Sequence, residues 1–291
     1  MSYFHLNLIL KGKLTVCCLL MLPAIPLNAQ REAKQIGDFK ESISLNEHLR
    51  GTKRTLQYCP DGDEFVCVNG KNRYTRALYG SHSPFRVETS DRPVFAFYNN
   101  GRGGNISFKV ILRDGTELAL DCTGHCESRY SAGKRTYYLT DPSWGKGELR
   151  ISVLALADMD GAIWRFSPSN MPKGAILRWQ HGGATGKRLS RNGDMGVDPA
   201  DCFELPVEAT DLVTGELPLQ KEVYLVRGEV PEDYNVRKLY QQAEAASLAL
   251  ASHLKIETPD PYLNTLGGAL VAATDGIWDG QVWLHGAIGW R

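Results

Sequence analysis

Two rhythms divide the chain. From Thr55 to Gly228, apolar and polar residues alternate in short runs broken by Gly, Asp and Asn; beyond Glu232, apolar residues recur every three or four positions. Alternation with period two predicts strands with one face in a core, and the longer period predicts amphipathic helices. The expected strands are Leu56–Pro60 and Glu64–Gly70 about an Asp61-Gly62-Asp63 turn, then Tyr74–Tyr79, Phe85–Glu88 and Pro93–Tyr98. Next come Asn105–Leu112 and Thr116–Asp121 about Asp114-Gly115, then Arg135–Thr140, Glu148–Ala157, Ala162–Ser167, Gly174–Gln180 and Lys221–Gly228. Asp-Gly between apolar runs is a strong hairpin signal. Many short strands separated by glycine turns predict a mainly β protein built as a large antiparallel β-sandwich.

The helical part has two segments. Glu232 or Asp233 is expected to cap a linker helix reaching about Leu254, with Val236, Leu239, Tyr240, Ala243, Ala246, Leu250 and Leu254 as its apolar stripe. Lys255–Pro259 breaks it. Asp260 and Pro261 suit the N-cap and first position of a second helix, lined by Leu263, Leu266, Leu270, Ala273 and Ile277. Gly267-Gly268 and the neighbouring alanines allow another helix to approach closely.

The first 29 residues read as a signal peptide. Lys11 and Lys13 precede the short apolar run Leu14–Leu22, and Leu27-Asn28-Ala29 offers a cleavage point before Gln30. The run is too short to span a bilayer comfortably, so export is expected, to the periplasm or beyond, with no membrane span after cleavage. Residues 30–53 are a polar lead-in, 54–230 the sandwich, 231–257 the linker helix, and 258–291 the start of a helical domain. Hydrophobic content of 43% is that of a globular protein. A formal net charge of +0, with no basic run, offers no electrostatic case for nucleic acid.

Five cysteines follow the leader: Cys59, Cys67, Cys122, Cys126 and Cys202. Cys59 and Cys67 flank a hairpin turn, and Cys122 and Cys126 flank a short loop, so either pair is a candidate disulfide in an exported protein. Cys122, His125 and Cys126 lack a fourth ligand at zinc spacing, so no metal is expected. The glycine-rich His181–Gly186 stretch lacks phosphate-loop spacing and reads as a loop at the sandwich edge. Asn192–Asp201 lacks the order of a calcium loop and reads as turns. No cofactor is expected.

Candidate chemistry gathers at the C-terminal end. Asp275 and Asp279 are four residues apart, Trp278 lies between them, and Trp283, His285, Trp290 and Arg291 follow. Indole rings stack on the C–H faces of sugars, while carboxylates and imidazole bond to hydroxyls. Trp278, Asp279, His285, Trp290 and Asp275 are therefore the expected substrate-binding residues for an oligo- or polysaccharide. Two carboxylates at helical spacing suit binding one sugar better than flanking its glycosidic bond.

The order of parts resembles the six-hairpin glycosidases, in which an N-terminal sandwich packs on a catalytic (α/α)6 toroid. PDPYLNTLGGALVAATDGIWD with WLHGAIGWR is similar to the toroid entry of an uncharacterised secreted family of this kind from polysaccharide-degrading Bacteroidota. YCPDGDEFVCVNGKNRYTRALYG is similar to that family's sandwich. The resemblance implies a glycoside-hydrolase-like protein for polysaccharide breakdown. It supplies no catalytic assignment to transfer, and in the family plan the catalytic acid would lie in later helices. The chain then represents the sandwich, a linker helix and the first helix of an incomplete (α/α)6 toroid, a truncated form expected to be inactive alone. A non-catalytic carbohydrate-binding or scaffold module, and a polysaccharide lyase fragment, are the alternative readings.

Overall fold

A computed structural model describes residues 57–80, 82–83, 85–99, 102–188 and 212–284, with backbone alone at Asn99, Arg102, Gly103 and 183–188. The expected signal-peptide and lead-in segments, Cys202, the expected turns at Asn192–Asp201, His285, Trp290 and Arg291 lie outside the described residues. The chain divides into two units, and only Thr258–Asp260 of the first are described. The second, Leu56–Glu257 with Pro261–Arg291, holds everything below.

Among the described residues, fourteen strands form two antiparallel sheets of seven. The first contains β1 (Cys59–Asp61), β2 (Glu64–Val68), β8 (His125–Ser131), β9 (Lys134–Thr140), β10 (Glu148–Ala155), β11 (Gly161–Ser169) and β14 (Val223–Gly228), in that order. The second runs β13 (Val213–Pro218), β12 (Ile176–Arg188), β6 (Arg102–Ile111), β5 (Phe95–Asn99), β4 (Arg86–Thr89), β3 (Arg76–Leu78), with β7 (Glu117–Ala119) also on β6. The expected antiparallel sandwich is thus present.

Period-two alternation supplies its core. Leu149, Ile151 and Val153 of β10 and Trp164 and Phe166 of β11 meet Phe95 and Phe97 of β5 and Ile106, Phe108 and Val110 of β6 in one buried cluster. The first sheet is also covered behind. Leu154, Leu156 and Ile163 point away from that cluster and pack under Leu239, Tyr240 and Ala243 of α1 (Val236–Ala251). Strand β14 serves both layers, as its pattern predicts: Val223 and Leu225 join the main core, Tyr224 and Val226 the second. The Tyr224 and Tyr240 rings meet edge to face at 5.8 Å, and the Arg165 guanidinium lies 4.4 Å from the Tyr240 ring centre.

Several expectations need correction. The cap of α1 is Asn235, whose side chain accepts from the Lys238 N–H at 3.0 Å, in place of Glu232 or Asp233. The helix stops at Ala251, leaving Leu254 exposed. His181–Gly186 continues β12 through a bulge between Gly183 and Arg188, because β6 pairs with it there. Neither candidate disulfide is formed: Cys59, Cys67, Cys122 and Cys126 are free thiols. In the β1–β2 register Cys59 faces Val66, so neighbouring Cys67 points to the opposite face. Cys122 is exposed while Cys126 is buried, and burial pushes the Cys126 thiol up to about 12, leaving it protonated and unreactive.

The second helix, α2 (Pro261–Gly276), begins at Pro261 as expected. Its docking face differs from the leucine stripe. Thr265, Gly267, Ala272 and Gly276 are buried, whereas Leu263 and Leu270 are each 43% exposed. Small residues win because the approach is close. A Cβ on Gly268 would lie 3.3 Å from the Ala251 Cβ of α1, and one on Gly276 would run into the Tyr79 ring. Thr265 Oγ1 donates to the Gly62 carbonyl at 2.8 Å, pinning α2 to the β1–β2 turn.

Candidate functional site

Helix α2 ends at Gly276, and the chain folds at once into a tight hairpin. Trp278 and Trp283 form an antiparallel bridge, and Leu284 N–H donates to the Ile277 carbonyl at 2.8 Å. The turn is held by Asp279, whose Oδ1 accepts the N–H groups of Gln281 (2.8 Å) and Val282 (2.7 Å). Gly280, at φ +98°, takes the left-handed conformation that the bend requires. The Asp-Gly dipeptide between two tryptophans is the sequence signal for this hairpin.

The hairpin brings the two indoles together, with centroids 4.6 Å apart and planes at 50°. Trp278 is half-buried, while Trp283 is 63% exposed. Trp283 therefore offers a ring face to solvent on a backbone fixed by the Asp279 turn. An exposed, pre-positioned indole suits stacking on the apolar face of a sugar.

Asp275 and Asp279 do not share a helical face, because the helix ends between them. Asp275 instead receives His82 Nε2 at 3.2 Å, a partially exposed pair closed across 193 residues of sequence. His82 belongs to the loop after β3 and carries no sequence motif. Of the expected site residues, Trp278 and Asp279 thus share the hairpin, Asp275 faces His82, and His285 and Trp290 lie outside the described residues.

Beside Asp275 a cavity of about 580 Å³ opens between α1, α2 and one end of the sandwich. Its walls exist because the helices present small side chains, including Ala243, Ala246, Ala269 and Ala273. The floor comes from Arg76 and Ala77 of β3, Tyr130 of β8 and Ala155 of β10. Ser247 Oγ donates to the Ala132 carbonyl at 2.5 Å, and Lys134 pairs with Glu244 at 3.1 Å, fixing α1 over the β8–β9 turn. Asp158, His82 and Asp275 stand on its polar rim.

Among the described residues, no three His, Cys, Asp or Glu side chains gather as a metal-binding set, and no helix is long and apolar enough to cross a membrane.

Residues 100–230, under half of the chain, match a protein family described as a domain of unknown function (DUF4450). The match begins just before β6 and ends just after β14, so it takes in the central strands of both sheets and stops short of α1, α2 and the tryptophan hairpin. No curated protein matches the chain.

Proposed function

We propose that this chain is the N-terminal sandwich and toroid entry of an exported glycoside-hydrolase-like protein, and that its own part in polysaccharide breakdown is to bind the glycan. The observation that carries this reading is the hairpin, braced by the Asp279 turn, that displays Trp283 beside Trp278. The exposed Leu263 and Leu270 on α2 support the toroid reading, since an apolar helical face favours helical neighbours.

A non-catalytic role for these residues has its own support. Asp279 spends one oxygen on the turn and Asp275 faces His82, so neither has the arrangement of an unencumbered acid and base across a glycosidic bond. Binding is therefore the expected activity of the chain alone.

The test is retention on an array of plant and host polysaccharides, followed by titration of any oligosaccharide retained. Trp283→Ala is expected to weaken binding about tenfold, equivalent to roughly 1.4 kcal/mol. Its melting temperature should stay unchanged, because the ring is exposed. The chain alone should release neither reducing sugar nor an unsaturated uronate absorbing in the ultraviolet. Retention of no glycan, or equal affinity in the Trp283→Ala variant, would remove the basis for this reading.

A further inference from the structure

The cavity between α1, α2 and the sandwich has a chemistry unlike that of the tryptophan hairpin. At its floor, Arg76 is a cation without a counter-ion among the described residues. Its Nη1 donates to the Thr75 carbonyl at 2.7 Å, and its guanidinium lies 5.8 Å from the Tyr58 ring centre and 5.4 Å from that of Tyr130. No carboxylate among the described residues pairs with it.

Tyr130, only 5% exposed, is a second donor on the same floor. Its oxygen accepts the Gly133 N–H at 3.3 Å, and its own proton has no acceptor among the described residues. Burial pushes this hydroxyl up, so it stays protonated and able to donate. A part-buried guanidinium and a buried hydroxyl lining one cavity form a receptor for an anion.

Much of the wall that the two helices supply is aliphatic, while Phe65, Thr75, Tyr79, His82 and Ser247 also line the space. Ala243, Ala246 and Leu250 of α1 face the space together with Leu266, Ala269 and Ala273 of α2, and none of these can bond to a sugar hydroxyl. The carboxylates, Asp158 and Asp275, would repel an anion near themselves and favour its placement at Arg76. A volume of about 580 Å³ is in the range of small-molecule pockets that are mostly apolar with a few placed polar groups.

The geometry points to a binding site for a small amphipathic carboxylate, its aliphatic body between the two helices and its carboxylate held by the Arg76 guanidinium and the Tyr130 hydroxyl. The site stands independently of the polysaccharide reading, because neither Trp278 nor Trp283 lines the cavity.

Calorimetric titration of the full chain with decanoate, held below its micelle concentration, tests the assignment. Decanol serves as the neutral analogue and gluconate as a carboxylate with a polar body. Decanoate is expected to bind at least tenfold more tightly than decanol, and gluconate not at all. Arg76→Met should reduce decanoate to the level of decanol while leaving decanol unchanged. Tyr130→Phe, which removes only the hydroxyl, should weaken decanoate severalfold and keeps the test available if Arg76→Met fails to fold. Ala246→Trp, at an exposed point of the cavity wall, should abolish both ligands with an unchanged circular dichroism spectrum. The assignment is overturned if decanoate does not bind, if decanol binds equally well, if gluconate matches decanoate, or if a folded Arg76→Met or Tyr130→Phe variant binds decanoate as the parent does.

Discussion

Replacing Asp91 with alanine is expected to lower folding stability by about 3–5 kcal/mol, the cost typical of breaking a buried ion pair from one side. Asp91 lies fully buried in the link between β4 and β5. Its Oδ1 accepts from Tyr58 Oη at 2.7 Å and faces Arg135 Nη2 at 3.5 Å; its Oδ2 accepts from Gln57 Nε2 at 2.8 Å and Asn72 N–H at 2.9 Å. One carboxylate thus ties the chain entering β1, the loop after β2 and strand β9 to one point. Arg135 is only 1% exposed, and without Asp91 it keeps Ser128 Oγ at 3.0 Å and the Tyr137 ring. Removing the carboxylate leaves a cation in an apolar place. Urea unfolding followed by tryptophan fluorescence measures the loss. Asp91→Ala combined with Arg135→Met should lose less than the sum of the single variants, with a coupling of about 1–3 kcal/mol. A single-variant loss under about 1 kcal/mol would show that the cluster contributes little, well short of the buried-pair expectation.

Trp164→Ala should cost a similar amount, about 3–5 kcal/mol, through lost burial and an unfilled hole. Trp164 has no exposed surface and stands where the two sheets meet. Its ring lies edge-on to Phe95 at 5.7 Å and Phe97 at 5.6 Å, and 6.0 Å from Phe108. Its indole N–H has no hydrogen-bond partner among the described residues. Trp164→Phe therefore loses no hydrogen bond and keeps most of the ring contacts, so its cost should be roughly 1–2 kcal/mol, the size of a partial core truncation. Equal losses for alanine and phenylalanine would mean that the indole itself, and not aromatic filling, holds the centre of the core.

The sandwich was legible in the sequence wherever inward positions carry large apolar groups, as in β5, β6, β10 and β11. It was illegible where they do not. Strand β8 escaped notice because its inward residues are Cys126, Ser128 and Tyr130, which do not read as an apolar alternation. Strand β13 is an exposed edge whose Gly215 and Pro218 look like a turn. The stretch His181–Gly186 is strand because β6 supplies a partner, a tertiary effect that composition does not carry. The leucines of α2 were legible as a stripe, but close packing against Ala251 and Tyr79 selected its glycines and alanines for burial.

The candidate site divides in the same way. Trp278, Asp279, Gly280 and Trp283 are neighbours in sequence, so a turn signal suffices to find them. Arg76 and Tyr130, or His82 and Asp275, meet only after the sheets and helices assemble, and nothing local marks them. The expected glycan residues share chemical type but not place, and the helix end separates Asp275 from Trp278 and Asp279.

Strand β10 has a partner along each edge and a packed layer on each face, whereas α2 is held through glycine, alanine and threonine. In deuterated water these two segments would keep very different time. Amide protons of β10 should survive until the whole unit opens, while those of α2 should be replaced first, through detachment that leaves the sheets intact. With that exchange order, the α2 wall of the cavity would be the first part to release, giving a guest a way in that the sheets alone would not provide.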